Sequence, residues 1–155
     1  MPARLVNQRN LNRLLTRLRR GRKKIVFTNG VFDIIHRGHV EYLTKAASFG
    51  DVLIVGLNSD KSARRLKGKS RPVQSEKDRA VILAALRPVD YVVVFGEDTP
   101  DKLIARIRPD VLVKGADYAM NAIVGATLVR SYGGRVRRIR LTAGRSTSKL
   151  LKKLT

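Results

Sequence analysis

The sequence predicts an α/β domain: a doubly wound sheet of five parallel strands, preceded by a helical extension. Two observations carry this reading. Short apolar runs rich in β-branched residues recur along the chain and alternate with helical patterns. Several of those patterns start at capping residues or stop at glycines, so each strand returns to the next through a crossover. A parallel sheet of this kind is covered on both faces and takes its ligands at the carboxyl ends of its strands.

Residues 1–23 make up the extension. Leu11, Leu14, Leu15 and Leu18 share one helical face, with Arg9, Arg13, Arg17 and Arg20 among the intervening positions. Residues 24–155 make up the domain. Its strands are expected over 24–28, 52–57, 91–95, 111–113 and 136–141. Its helices are expected over 40–48, 59–66, 76–86, 100–107, 122–132 and 147–154. Ser75 precedes Glu76, Lys77 and Asp78, an acidic first turn behind a capping hydroxyl. Thr99-Pro100 places a cap before a proline at the first helical position. Gly133-Gly134 stops a helix before the last strand.

With 155 residues, 43% of them hydrophobic, the chain suits one domain with one core. No apolar run approaches the roughly 18–20 residues of a membrane span. The absence of cysteine excludes disulfides and thiol chemistry and agrees with a reducing compartment, so the expected location is cytoplasmic. The acid-free amphipathic start also has the character of an organelle transit peptide over 1–22, although it contains no serine.

Charge separates the chain into three parts. Lys and Arg number 33 against 12 acids, a net of +21. Residues 1–32 carry nine basic residues and no acid, and residues 118–155 carry another nine and none. The middle holds 15 basic and 12 acidic residues, a net of +3. An anionic small substrate does not need this excess. The basic ends suggest a polyanionic partner: RNA, an anionic membrane surface or an acidic protein.

The segment Val26-Phe27-Thr28-Asn29-Gly30-Val31-Phe32-Asp33-Ile34-Ile35-His36-Arg37-Gly38-His39 carries the chemistry. An apolar strand enters a glycine turn and then delivers the chain's two histidines at a helix start. Unpaired backbone N–H groups and the positive end of the helix dipole converge there, which makes a phosphate site. Two imidazoles in that place can donate to phosphate oxygens and stabilise charge that grows during nucleotidyl transfer. Zinc is a poor alternative, because neither a third histidine nor any cysteine exists to complete a ligand set.

Three other segments follow strands. Asn58-Ser59-Asp60 ends the second strand and leads towards the basic stretch Arg65 to Val73, long enough to fold over phosphates or to stay an ordinary solvated loop. Lys114-Gly115 ends the fourth, where backbone can approach a ligand. Gly144-Arg145-Ser146-Thr147-Ser148 precedes the last helix, where the hydroxyls cap the helix or hold a second phosphate.

Six blocks occur in order: TNGVFDIIHRGHVEYL, GDVLIVGLNSD, RLKGKSRPV, DRAVILAAL, FGEDTPDKLIARIRPDVLVKGADY and GRSTS. Together they resemble the cytidylyltransferase-like nucleotidyltransferase family, which carries H-x-G-H after its first strand. Within it they are most similar to the branch that adenylylates heptose 1-phosphate. The resemblance implies a Rossmann-like fold and an in-line attack of the sugar phosphate on the α-phosphorus of ATP, with Mg²⁺ and no covalent enzyme intermediate. It implies that His36, His39 and Lys114 are catalytic. Thr28, Asn29, Gly30, Phe32 and Gly38 would line the nucleotide loop. Arg79 and the Ser146-Thr147-Ser148 turn would help hold triphosphate and base. Lys67 and Arg71 would belong to the phosphate loop with Asp33, which orients a neighbour, contacts the metal or serves as a turn residue. The kinase half found in two-domain members is missing, so a stand-alone form is implied.

Three positions depart from that pattern. Val31 stands where a cysteine is frequent, and Ser148 where a threonine is usual. Ala47 stands where relatives carry a Lys or Arg eight residues after the second histidine, facing the phosphates. Lys45 lies about 200° away around the helix and cannot substitute. Either activity is reduced or Lys67, Lys69 or Arg71 supplies the charge. A second class of function stays open: a non-catalytic or dual-role member of the fold that binds RNA or another polyanion through its basic ends. Within the enzyme class, a glycerol-3-phosphate-type cytidylyltransferase is the rival. Oligomeric state is open, a homodimer included.

Overall fold

Residues of alternate parity along the strands feed two cores, one on each face of a single sheet. Ile25, Phe27, Ile54, Val93 and Leu112 join one cluster, while Val26, Leu53, Val55, Val92 and Val113 join the other. This is the pleat period of two acting on strands that are apolar throughout. The computed structural model describes residues 4–142 and 146–155, so Gly144 and Arg145 of the last motif lie outside the described residues.

The strands are β1 (Arg4–Leu5), β2 (Ile25–Gly30), β3 (Val52–Asn58), β4 (Tyr91–Phe95), β5 (Val111–Gly115) and β6 (Arg135–Ile139). All pairings are parallel, in the order β1-β4-β3-β2-β5-β6. The sheet therefore has six strands where five were expected. The added strand is the two-residue β1, whose Arg4 and Leu5 pair with Tyr91 and Val92. Two exposed residues offer too short a pattern to be read as a strand.

The helices are α1 (Leu11–Arg20), α2 (Arg37–Ala47), α3 (Asp60–Lys67), α4 (Glu76–Ala84), α5 (Asp101–Ile107), α6 (Ala126–Ser131) and α7 (Thr147–Leu154). Leu11, Leu14, Leu15 and Leu18 of α1 pack into the same core as α5 and α6, while α2 and α4 cover the opposite face. Burying each of these leucines contributes about 1.5–3 kcal/mol. The N-terminal segment thus completes the sheet and the core of the domain that follows it. Among the described residues, no helix is long and apolar enough to cross a membrane.

Three aspartates set the strand register. Asp51, Asp90 and Asp110 each stand immediately before a strand, and each accepts an amide at the start of a neighbouring one. The donors are Lys24 N (2.7 Å), Leu53 N (2.8 Å) and Ile25 N (2.8 Å). Backbone groups that the parallel ladder leaves unpaired at its entrance are satisfied in this way.

The expected helix over 122–132 is broken. A 3-10 turn spans Met120–Ala122, and α6 begins only after Gly125, which is left-handed at φ 85°. A Cβ at Gly125 would lie 2.7 Å from Ile104 Cδ1, so the glycine also permits close packing on α5. The last strand ends at Ile139 rather than at 141, freeing Leu141 to turn towards the ligand cavity. At α5, Pro100 rather than Thr99 occupies the cap position, with no capping side chain, and Thr99 Oγ1 bonds Asp101 Oδ2 at 3.2 Å.

Candidate active site

Because β2 lies between β3 and β5, the chain leaves β2 towards one side of the sheet and enters β5 from the other. A crevice opens at the carboxyl ends of these strands, the switch point of a doubly wound sheet. A cavity of about 580 Å³ occupies it, within the range of small-ligand sites. Asn29 and Gly30 from β2 and Lys114 and Gly115 from β5 form its floor. His36, Gly38 and His39 at the start of α2 line it, together with Lys67 and Arg71 and the start of α7.

The turn between β2 and α2 is shaped by Phe32, which sits at φ 47°, rare for a bulky residue. Its ring lies 5.3 Å from that of His39. A Cβ at Gly30 would meet Phe32 Cε2 at 2.9 Å, so the glycine is needed for the ring to fold back over the strand end. Conformation at 32 and side-chain absence at 30 thus position the histidine.

His36 is the residue that caps α2. Its Nδ1 accepts the Gly38 amide at 3.1 Å, and the His39 Nδ1 accepts the His36 amide at 3.3 Å. A ring nitrogen that accepts carries no proton, so each ring holds its proton at Nε2. The rings stack with centroids 3.9 Å apart. Burial, and then the neighbouring His36, lowers the His39 pKa to about 4, so that ring is neutral at physiological pH. Both rings line the cavity at a helix start whose amides already favour anions.

Lys114 faces the pair from β5. Its ammonium donates to the Asn29 carbonyl at 3.3 Å and lies 4.9 Å from the centre of the Tyr118 ring. Burial draws its pKa down to about 8, the Asp117 carboxylate opposes the fall and Lys67 adds to it. Beside it, Asn29 Oδ1 is buried with no hydrogen-bond partner among the described residues. An unmet buried acceptor costs about 1–3 kcal/mol, which a donor on a ligand would recover.

Asp33 lines the cavity but is occupied as an anchor. Its carboxylate accepts Val73 N (2.9 Å), Gln74 N (3.0 Å) and Arg71 Nε (2.7 Å). Burial alone would raise its pKa, but the two amides and the guanidinium hold it below the usual carboxylate value. The basic loop is therefore tied to the glycine turn, with Lys67 and Arg71 in the lining. Lys69 is not part of the lining.

Two expected contacts are corrected. Thr28 is fully buried and does not line the cavity. Its hydroxyl donates to Val113 O at 3.0 Å and bonds the Tyr42 hydroxyl at 2.8 Å, fastening β2 to β5 and α2. Arg79 is also fully buried. It donates to Gln74 O (3.0 Å), Val31 O (2.7 Å), Asn58 O (2.9 Å) and Asp60 Oδ1 (2.8 Å). It joins three loops around the site and is not part of the cavity lining.

At α7 the hydroxyls divide their roles. Ser146 caps the helix, accepting Lys149 N at 3.1 Å, and Thr147 donates to Ile34 O at 3.2 Å. All three of Ser146, Thr147 and Ser148 line the cavity, so capping and ligand lining coexist. The departure at Ala47 loses its force. Ala47 sits in the last turn of α2, about 12 Å along the axis from His39, packed against the core. A cation there would lie at the wrong end of the helix.

The sequence reading missed Tyr42, Asp98, Ala122, Val124, Leu141 and Thr142, all of which line the cavity. Leu141 offered a signal: an apolar residue just past a strand end. The others carried none, since nothing in their own spacing relates them to the switch point.

The model of the cytidylyltransferase-like family matches residues 27–149, from β2 into α7. The chain belongs to the cytidylyltransferase-like family. The cytidylyltransferase-like match excludes β1 and α1, although these complete the sheet and one core. The chain is 60% identical over 136 residues to the bifunctional protein HldE of Syntrophotalea carbinolica, an alignment covering 88% of this chain and 28% of that protein. It is 56% identical over 144 residues to the bifunctional protein HldE of Helicobacter pylori, covering 93% and 30%. The chain thus spans less than a third of the length of the curated relatives it matches. Among solved structures, the lipopolysaccharide core biosynthesis protein of Thermoplasma volcanium matches with a TM-score of 0.62 and 30% identity, over 77% of this chain and 97% of its own.

Proposed function

We propose that the chain is an adenylyltransferase that joins heptose 1-phosphate to ATP, giving ADP-heptose and pyrophosphate. A phosphate oxygen of the sugar phosphate attacks the α-phosphorus, forming one O–P bond as the bond to the β-phosphate oxygen breaks. The observation that carries this reading is the pair of Nε2–H imidazoles at the α2 start, opposite Lys114 across the switch-point cavity. His36 and His39 would donate to the oxygens that gain charge, and Lys114 would hold the phosphates from the other strand. Asn29, Gly30, Phe32 and Gly38 would shape the nucleotide loop, with Lys67 and Arg71 over the phosphates. Such catalysis is positioning and electrostatics, and it needs no nucleophile from the protein.

Magnesium fits this site as a companion of the triphosphate. Of the lining carboxylates, Asp33 and Asp98 are committed to arginines, which leaves Asp117. Among the described residues, no group of three His, Cys, Asp or Glu could hold a metal ion. The ion's charge would neutralise phosphate oxygens, and the protein would hold the triphosphate rather than the ion. With ATP as substrate and no cysteine to protect, a cytoplasmic location is part of the proposal.

The test is pyrophosphate release from ATP or CTP with either heptose 1-phosphate or glycerol 3-phosphate. Release confined to ATP and heptose 1-phosphate is expected. Faster turnover of CTP with glycerol 3-phosphate would replace this reading with the cytidylyltransferase one.

A further inference from the structure

A second cleft, of about 440 Å³, opens at the amino ends of the strands, opposite the active-site cavity. Arg19, Arg22, Lys23, Lys24 and Arg135 line it, with Asp110 as the single acid. The first four come from the acid-free N-terminal end and Arg135 from the acid-free C-terminal end. The fold brings into one concavity two basic segments that are more than a hundred residues apart in sequence.

Little compensates this charge. The described ion pairs are Arg37–Glu41, Arg65–Asp98, Arg71–Asp33 and Arg79–Asp60, and none involves the cleft. The Asp110 carboxylate already accepts the Ile25 amide at 2.8 Å. Arg19 donates to Ile107 O and stands in the last turn of α1, where a cation complements the helix dipole. That reason does not extend to Arg22, Lys23, Lys24 or Arg135, which lie beyond the helix. Clustered like charges repel, and a concave wall focuses their field on whatever anion enters.

We propose that this cleft binds the phosphodiester backbone of single-stranded RNA, without reading its bases. A concave site suits a strand and not the plane of a bilayer. Arginine forks match phosphate oxygens two at a time. Five cations along one cleft suit a ligand charged at every repeat. Among the described residues no aromatic side chain lines the cleft, so the proposed contact does not rest on base stacking and tolerates any sequence. Along β2, Ile25 lines this cleft and Asn29 lines the active-site cavity about 13 Å away, so the two sites can be tested apart.

The experiment is fluorescence anisotropy of a labelled oligouridylate of about twelve nucleotides with the full chain, between about 50 and 200 mM salt. The logarithm of affinity should fall linearly with the logarithm of salt, by about 0.7 per phosphate neutralised. The double variant Lys23→Glu/Arg135→Glu, at two exposed positions, should bind at least tenfold more weakly and flatten the slope by about 1.4. The variant Lys61→Glu/Lys102→Glu makes the same change of net charge elsewhere and should stay within a few-fold of wild type. Equal loss in both variants, or a slope unchanged in the first, overturns the proposal. So does tighter binding to polyglutamate or to anionic vesicles than to RNA. On the unaltered chain, RNA should shield Lys23 and Lys24 from acetylation. Shielding confined to Lys67 and Lys114 would assign the binding to the active-site cavity instead and overturn the proposal.

Discussion

His36 and His39 stack ring on ring, with planes 29° from parallel, and each ring uses Nδ1 to accept an amide of the helix start that carries them. The backbone thereby chooses the tautomer, and the remaining nitrogen of each ring becomes the donor. This relationship makes a three-residue spacing chemically specific.

His39→Ala should lower kcat by about 10²–10³ while ATP affinity stays within a few-fold, because the donor acts on charge that develops in the transition state. Turnover within a few-fold of wild type would show the site to be misassigned. The acid limb of kcat/KM should lie near the folded His39 pKa of about 4. A limb at about 6.5, the ordinary histidine value, would mean that burial does not depress the ring's pKa. Stability should follow the same group. The unfolded chain binds more protons between 6.5 and about 4, so stability is full above 6.5 and is lost as pH falls through that window.

Lys114 should impose the alkaline limb. With a pKa near 8 in the free protein, its charge is lost as pH rises through that value, and kcat/KM for ATP should fall with it. Lys114→Arg keeps the charge at all working pH values and should move the limb upward, even if overall activity is lower. An alkaline limb that stays near 8 in this variant would assign the titration to another group.

Arg79 is predicted to matter for stability more than for ATP binding. A lysine ammonium in its place could not reproduce a fork that satisfies three carbonyls and a carboxylate, so Arg79→Lys should cost several kcal/mol and lower Tm by roughly 2–4 °C for each. The measurement is thermal unfolding alongside ATP titration. Wild-type Tm with a tenfold weaker ATP affinity would return Arg79 to the nucleotide.

What the sequence determined by itself was local. Strand and helix periods, the glycine stops and the histidine pair at a helix start depend on a few neighbouring residues, and those elements stand within a few positions of where they were expected. The tertiary structure decided which polar side chains face a ligand and which face the backbone. Thr28 was legible as a polar residue near a strand end and Arg79 as one within a helix, but their partners come from Val113, Val31 and Asn58, which only packing brings near. Ala47 shows the same limit in another direction: a helical wheel gives an angle, while the axis carries the residue away from the site at about 1.5 Å per position. Leu5 and Arg4 became a sixth strand because β4 offered an unpaired edge. The two basic ends were visible as charge runs, yet their meeting at Lys23 and Arg135 follows from strand order. Strand order rests on long-range pairing, and no local pattern encodes it.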